Sequence, residues 1–145
     1  MPFEKSRSAG FLANHMARLF ALHLSQAIAP LGLAPAQFMT LLELWEEDGL
    51  TQADLVERLD VEQATLANTL KRMERDGLVH RAPHPDDGRA QLISLTAKAR
   101  KLEVAAKKAA SAVNHRALEA LDPPSVDELL DAMGDVIRQL RQTKD

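Results

Sequence analysis

Apolar residues recur along most of this chain at intervals of three and four, and this spacing predicts helices nearly throughout. From Ser8 to about Ala29, residues Phe11, Leu12, Met16, Leu19, Phe20, Leu22 and Ile28 form one stripe, which Pro30-Leu31-Gly32 ends. Pro35 suits a first helical position, and Phe38, Leu41, Leu42 and Trp45 form the next stripe before Asp48-Gly49 stops it. Thr51 with Asp54 three residues on resembles a capping box and opens a short helix through Ala53, Leu55 and Val56, ending near Leu59. After a short break a fourth helix runs from about Glu62 to Asp76, with Gly77 as its C-terminal cap. The pattern then changes. The segments LVHRA (Leu78 to Ala82) and AQLISL (Ala90 to Leu95), either side of HPDDGR, are rich in β-formers and predict a hairpin with an extended tip, the only strand candidate. Thr96 caps a long alanine-rich helix to about Leu121, and Asp122-Pro123-Pro124 breaks it. Ser125 with Glu128 gives a second capping box, followed by Val126, Leu129, Leu130, Met133, Val136, Ile137 and Leu140 as the wide apolar face of a last helix.

Composition agrees with this pattern and removes several function classes. At 145 residues and 46% apolar content the chain is sized for one domain with its own core. Only 3% of residues are aromatic and there is no tyrosine, while Ala, Leu, Glu, Lys and Arg abound, a helix-forming mixture. The absence of cysteine excludes disulfides, thiolate metal sites and a cysteine redox switch. The first eleven residues hold no apolar signal core and no apolar run approaches ~18 residues, so a cytoplasmic protein with no membrane partner is expected. His15, His23, His80, His84 and His115 show no tight ligand spacing beyond His80 and His84 flanking the turn, and neither a metal nor a cofactor is expected. Without a Gly-rich phosphate loop, a Ser-His-acid set or a convergent carboxylate pair, the sequence does not read as an enzyme.

A net charge of −3 argues against nucleic-acid binding by the whole surface, but the charge is segregated. Residues 36–62 carry eight acids against Arg58 alone, and residues 98–116 carry Lys98, Arg100, Lys101, Lys107, Lys108 and Arg116 against Glu103.

A short helix, a tight break and a second helix followed at once by a hairpin is the order of a winged helix-turn-helix. On the fourth helix Leu66, Leu70 and Met73 cluster on one side, leaving Ala64, Thr65, Asn68, Lys71, Arg72 and Arg75 opposite. Small residues near the helix start allow close approach to base edges. Asn68 can pair with adenine and Arg72 with guanine, while Lys71 and Arg75 can hold phosphates; Thr69 joins the candidate contacts. The same pattern also describes an ordinary solvated helix face. In the hairpin, Asp87 and Arg89 lie two apart, so on an extended segment they share a side and the carboxylate can orient the guanidinium. An oriented arginine at a wing suits a narrow minor groove; a local ion pair tying the turn together is the other reading.

The stretch GLTQADLVERLDVEQATLANTLKRMERDGLVHRAPHPDDGRAQLISLT resembles the DNA-binding core of the MarR family of bacterial transcriptional regulators. Its Asp87, Arg89, Leu95 and Thr96 are similar to that family's wing signature, an Asp-x-Arg followed by Leu-Thr. Element order matches over nearly the whole chain. The resemblance implies a mainly α fold with a small β-hairpin wing: four helices, the wing and two more helices in one domain over residues 1–145. Residues 35–96 would form the winged helix-turn-helix core, and residues 1–30 and 97–145 the dimerisation helices. It also implies that Arg89 enters the minor groove, that Asp87 orients it, and that Thr65, Asn68 and Arg72 face the major groove. One departure is Glu62, where many relatives carry a small capping residue; an acid suits the helix dipole but repels a nearby phosphate.

Family members are dimers in which the first and last two helices interlock. Phe11, Leu12, Val126, Leu130, Met133 and Ile137 are the candidate interface, with a purely intramolecular core as the alternative. Two-fold symmetry sets the recognition helices about 34 Å apart, matching a palindromic site on double-stranded DNA. Members also often bind small aromatic or phenolic anions between the dimer helices and the DNA-binding part. For such an effector the candidates are His15, Arg18 and Leu19 with Phe38, Leu42 and Trp45, of which Phe38 and Trp45 also read as plain core and Arg18 as the partner of an acid. The expected protein is therefore a homodimeric, ligand-responsive regulator, in the first instance a repressor. A winged-helix module that docks a protein on its acidic residues 36–62 is the second reading, against which the row Asn68, Lys71, Arg72 and Arg75 speaks.

Overall fold

The structure, a computed structural model, describes residues 2–143. They form two compact units, one reaching Ala110 and one from Ser111 onward.

In the first unit, helix α1 (Ala9–Ile28) is opened by Ser8, whose hydroxyl accepts the Phe11 N–H at 3.2 Å. A 3-10 turn follows and ends at Gly32, whose φ of 77° is the left-handed conformation that glycine adopts without a Cβ penalty. Helix α2 (Pro35–Glu46) starts on proline, which has no N–H to leave unpaired there. Helix α3 (Gln52–Leu59) carries the expected capping box: the Thr51 hydroxyl accepts the Asp54 N–H and the Asp54 carboxylate accepts the Thr51 N–H, both at 3.0 Å. Replacing Thr51 with alanine should therefore lower stability by about 1 kcal/mol in urea unfolding, the usual worth of such a cap. Asp60, left-handed at φ 54°, turns the chain into helix α4 (Gln63–Arg75).

Strands β2 (Val79–Pro83) and β3 (Gln91–Leu95) pair antiparallel, with Val79 opposite Leu95 and Pro83 opposite Gln91. The hairpin is not the only strand structure. A two-residue strand β1 (Leu50–Thr51) adds to the far edge of β3, giving the order β1-β3-β2. Two residues are too few to show alternation, so nothing local announces β1. The core joins these elements through Ile28, Leu41, Leu44, Leu55, Leu66, Leu70, Met73, Leu78 and Ile93, all fully buried. Each such side chain contributes roughly 1.5–3 kcal/mol of transfer free energy.

Helix α5 (Ala97–Ala117) leaves this unit with the Thr96 hydroxyl accepting the Ala99 N–H. In the second unit its end is followed by helix α6 (Pro123–Gln142). The cap of α6 is Asp122 and not Ser125: the Asp122 carboxylate accepts the Ser125 N–H at 2.8 Å. Asp122 is held extended ahead of Pro123, and the proline takes the first helical position.

Much apolar surface is left open. Helix α6 buries no residue completely, and Leu130, Met133, Val136, Ile137 and Leu140 are exposed along it, Val126 and Leu129 being half-buried. In α1 only Leu24 and Ile28 are buried, while Phe11, Leu12, Met16, Leu19 and Leu22 are exposed. Among the described residues no single helix is long and apolar enough to cross a membrane.

Candidate nucleic-acid interface

Helix α4 buries Leu66, Leu70 and Met73, so its opposite side must face solvent, and Thr65, Asn68, Lys71, Arg72 and Arg75 are all exposed there. Thr69 does not belong to that row. It lies between Leu66 and Met73 on the inner side, is buried, and its hydroxyl donates to the Thr65 carbonyl at 3.1 Å. Glu62 is the N-cap of α4 but makes no side-chain capping bond, so the acid is presented at the helix start without closing it.

At the other end of α4, Arg75 donates through Nε to Asp76 Oδ1 at 3.0 Å and through Nη2 to Asp76 Oδ2 at 3.4 Å. The Asp76 bond raises the Arg75 pKa above its ordinary value. The Asp76 carboxyl is lowered, first by Arg75 and then by the Gln37 amide.

The tip of the wing is a turn, not an extended segment, and this changes the Asp87–Arg89 pair. The Asp87 carboxylate accepts the backbone N–H of Arg89 at 3.0 Å, and the Asp87 carbonyl accepts the Ala90 N–H at 3.1 Å. Asp87 therefore shapes the turn instead of orienting the guanidinium. The Arg89 side chain is exposed and makes no hydrogen bond or ion pair among the described residues. His84 completes the tip: its ring Nδ1 accepts the Asp86 N–H at 3.0 Å, and its backbone N–H donates to the Ala90 carbonyl at 3.1 Å.

Two contacts the sequence did not reveal hold the wing in place. Arg81 on β2 forms an ion pair with Glu74 on α4, tying the hairpin to the helix. Asp48, at the end of α2, accepts the N–H groups of Gly49 and Leu95, each at 2.9 Å, and pairs with Arg100 at 2.7 Å, so one carboxylate joins α2, β3 and α5. The first joins a helix to the strand after it across seven positions, the second joins residues 47 and 52 positions apart, and neither leaves a local signal. Asp48 is only a helix stop in the sequence, and Arg100 only one of a basic run. Within the acidic residues 36–62, Asp48 and Asp54 are engaged as described, and Glu47 and Glu43 pair with Arg58, whose pKa is raised chiefly by the Glu47 bond. No observation favours that surface as a protein dock.

The six candidate effector residues are divided. Phe38 is buried in the core and meets Trp45 edge to face at 6.0 Å. Trp45 donates its indole N–H to the Ala99 carbonyl at 3.2 Å, and Leu42 packs half-buried against the same core. These three are packing residues. His15, Arg18 and Leu19 instead stand exposed on α1, with the His15 ring against Phe11 at 6.1 Å. Among the described residues no group of three or more His, Asp or Glu side chains could hold a metal ion.

The geometry has counterparts in known proteins. Residues 33–90 match the model of the MarR family. The chain is 42% identical over 66 residues to the organic hydroperoxide resistance transcriptional regulator of Bacillus subtilis, a match that covers 46% of this chain and 45% of that protein. It is 29% identical over 119 residues to the HTH-type transcriptional repressor Rv2887 of Mycobacterium tuberculosis, covering 82% of this chain and 86% of the repressor. Among solved structures, a MarR transcriptional regulator from Methanosarcina mazei Go1 superimposes with a TM-score of 0.87 at 25% identity, covering 92% of this chain and 96% of its own. Reduced AbfR bound to DNA superimposes with a TM-score of 0.77 at 28% identity, covering 93% of this chain and 91% of its own.

Proposed function

We propose that the chain is a DNA-binding transcriptional regulator of the MarR family, a homodimeric repressor reading a palindromic operator with α4 and the wing. The carrying observation is the exposed row Thr65, Asn68, Lys71, Arg72 and Arg75, backed by a fully buried row on the same helix, with the unpartnered Arg89 at the wing. A rigid helix with polar and cationic side chains on one face is what major-groove reading needs, and a free guanidinium on a protruding turn is what a narrow minor groove attracts. That AbfR is bound to DNA and that Rv2887 is named a repressor support the same reading. Two copies joined through the open apolar faces of α1 and α6, by Phe11, Leu12, Val126, Leu130, Met133 and Ile137, would give the two-fold axis that a palindrome mirrors. Residues 35–96 would then be the reading core, and residues 1–30 and 97–145 the dimerisation helices. Release by a small aromatic or phenolic anion rests on the family and on His15 and Arg18 standing exposed beside Leu19 on α1. Phe38 and Trp45, committed to the core, would not line such a site.

Selection of bound sequences from a random duplex pool tests the reading. The expected product is an inverted repeat with half-site centres about 10–10.5 base pairs apart; a pool with no enriched sequence would sink it. On the selected site, Asn68→Ala should relax preference at one base pair at a cost of about 1–3 kcal/mol, while Lys71→Ala should weaken all sequences alike and flatten the salt dependence. Uniform loss from Asn68→Ala in a mismatch series would reassign that residue to backbone positioning.

A further inference from the structure

Gln37 is a buried polar residue in the first turn of α2, and both ends of its carboxamide are used. Its Oε1 accepts the Ala34 N–H at 3.1 Å, closing the start of α2, and its Nε2 donates to Asp76 Oδ2 at 2.9 Å across 39 positions of sequence. Asp76 follows the last residue of α4 and is fixed from two further directions. Its N–H donates to the Arg72 carbonyl at 2.9 Å, and its own carbonyl accepts from Lys98 Nζ on α5 at 2.8 Å. The residue whose carboxylate receives Arg75 is thus held through its backbone to α4 and α5 and through the carboxylate itself to α2.

We propose that Asp76, held from behind by Gln37, is a positioning residue for Arg75, fixing its guanidinium at the end of α4 so that the outward edge meets a DNA phosphate. The proposal rests on the DNA-binding reading above. The pairing is side-on, through Nε and Nη2, and uses two of the five guanidinium N–H groups, leaving the Nη1 pair and one on Nη2 for a second acceptor. Exposure runs in the matching direction: the Arg75 side chain is 70% accessible and the Asp76 side chain 31%, so the cation stands outward and the acid beneath it. An ion pair between neighbouring surface residues contributes little to folding. A guanidinium already ordered by a carboxylate, however, loses less freedom when it binds phosphate than a free one. The acid also cancels part of the attraction between Arg75 and DNA. The informative change is therefore at Gln37, which alters the anchor without altering any charge.

The test is a double-variant cycle on the duplex selected by the wild-type protein, followed by fluorescence anisotropy over a range of salt. Gln37→Leu should weaken binding about 3- to 10-fold, the scale of re-ordering one long side chain. It should also lower the salt slope toward that of Arg75→Ala, whose slope falls by roughly one. Combined with Arg75→Ala or Arg75→Lys, Gln37→Leu should add no further loss, because nothing held side-on remains to be anchored. Equal losses in all backgrounds, or wild-type affinity in Gln37→Leu, would overturn the proposal while leaving the DNA reading intact. Gln37→Met, closer to glutamine in length, replaces Gln37→Leu if the latter fails to fold. Asp76→Asn, on the surface, gives an independent sign: weaker binding although an acid has been removed supports positioning, and tighter binding overturns it. If the wild-type protein selects no sequence, both this inference and the DNA reading fall.

Discussion

Replacing Arg89 with alanine is expected to weaken operator binding about 10- to 100-fold, the loss of one charge-assisted contact worth ~1.5–3 kcal/mol. The thermal midpoint and the assembly state should not change. The wing tip supports that separation of effects, since the Arg89 side chain is exposed and bonds to nothing among the described residues, so its removal opens no cavity and orphans no buried group. The turn itself survives, because Asp87 and His84 build it from backbone N–H groups. Arg89→Lys should recover only part of the loss, an ammonium lacking the flat fork that fits a narrow groove. Asp87 is predicted to behave unlike a partner of the guanidinium. Asp87→Asn keeps an oxygen to accept the Arg89 N–H and removes a negative charge near DNA, so its affinity should equal or exceed the wild type. Asp87→Ala removes the acceptor, loosens the turn and should bind more weakly. Wild-type affinity in Arg89→Ala, or a loss that tracks unfolding, would remove Arg89 from the interface.

Features set by neighbours within a turn of chain were legible in the sequence, and features set by distant pairing were not. The Thr51–Asp54 box, the Gly77 stop and both strands of the wing each depend on three to five adjacent residues, and all stand where their patterns place them. The capping rule misfired once, at Ser125. Asp122 and Ser125 both satisfy a three-residue cap, and the choice falls to Pro123, whose fixed φ makes it a first helical residue. Thr69 was readable but misassigned: three after Leu66 and four before Met73, it is on the buried side of α4 by helical spacing alone. The two-residue spacing of Asp87 and Arg89 misled for another reason, since it implies a shared side only on a strand and Gly88-Arg89 is a turn. Strand β1, the Asp48 link between β3 and α5 and the Gln37–Asp76 bond join positions around forty or more apart, where no window of sequence carries a signal. Of the six candidate effector residues, Phe38 is buried and Trp45 half-buried against it, whereas His15, Arg18 and Leu19 stand exposed on α1. Phe38 and Trp45 have the chemistry of a pocket wall, but aromatic rings between two helices are first of all core.

Changing Leu130 and Ile137 together to aspartate is expected to convert the protein to monomers in sedimentation at micromolar concentration and to abolish high-affinity binding to a two-half-site operator. Both side chains sit on the open face of α6, 51% and 55% exposed in the single chain, so neither is needed to fill the chain's own core. In a two-fold interface each replacement occurs twice. Four apolar side chains leave the contact, each worth ~1.5–3 kcal/mol when fully buried, and four carboxylates enter it without partners, which adds several kcal/mol more. A standard interface has no comparable surplus, so the association constant should fall by many orders of magnitude. DNA binding falls with it, because a half-site held by one α4 and one wing no longer gains from the effective concentration of the second. The monomer should still bind a single half-site weakly, with an unchanged base preference at the position read by Asn68; this distinguishes lost assembly from lost reading. Circular dichroism marks the remaining alternative, an obligate dimer whose chain unfolds when separated. A helical, stable dimer in the double variant would place the interface elsewhere, and the open faces of α1 and α6 would then need a different partner.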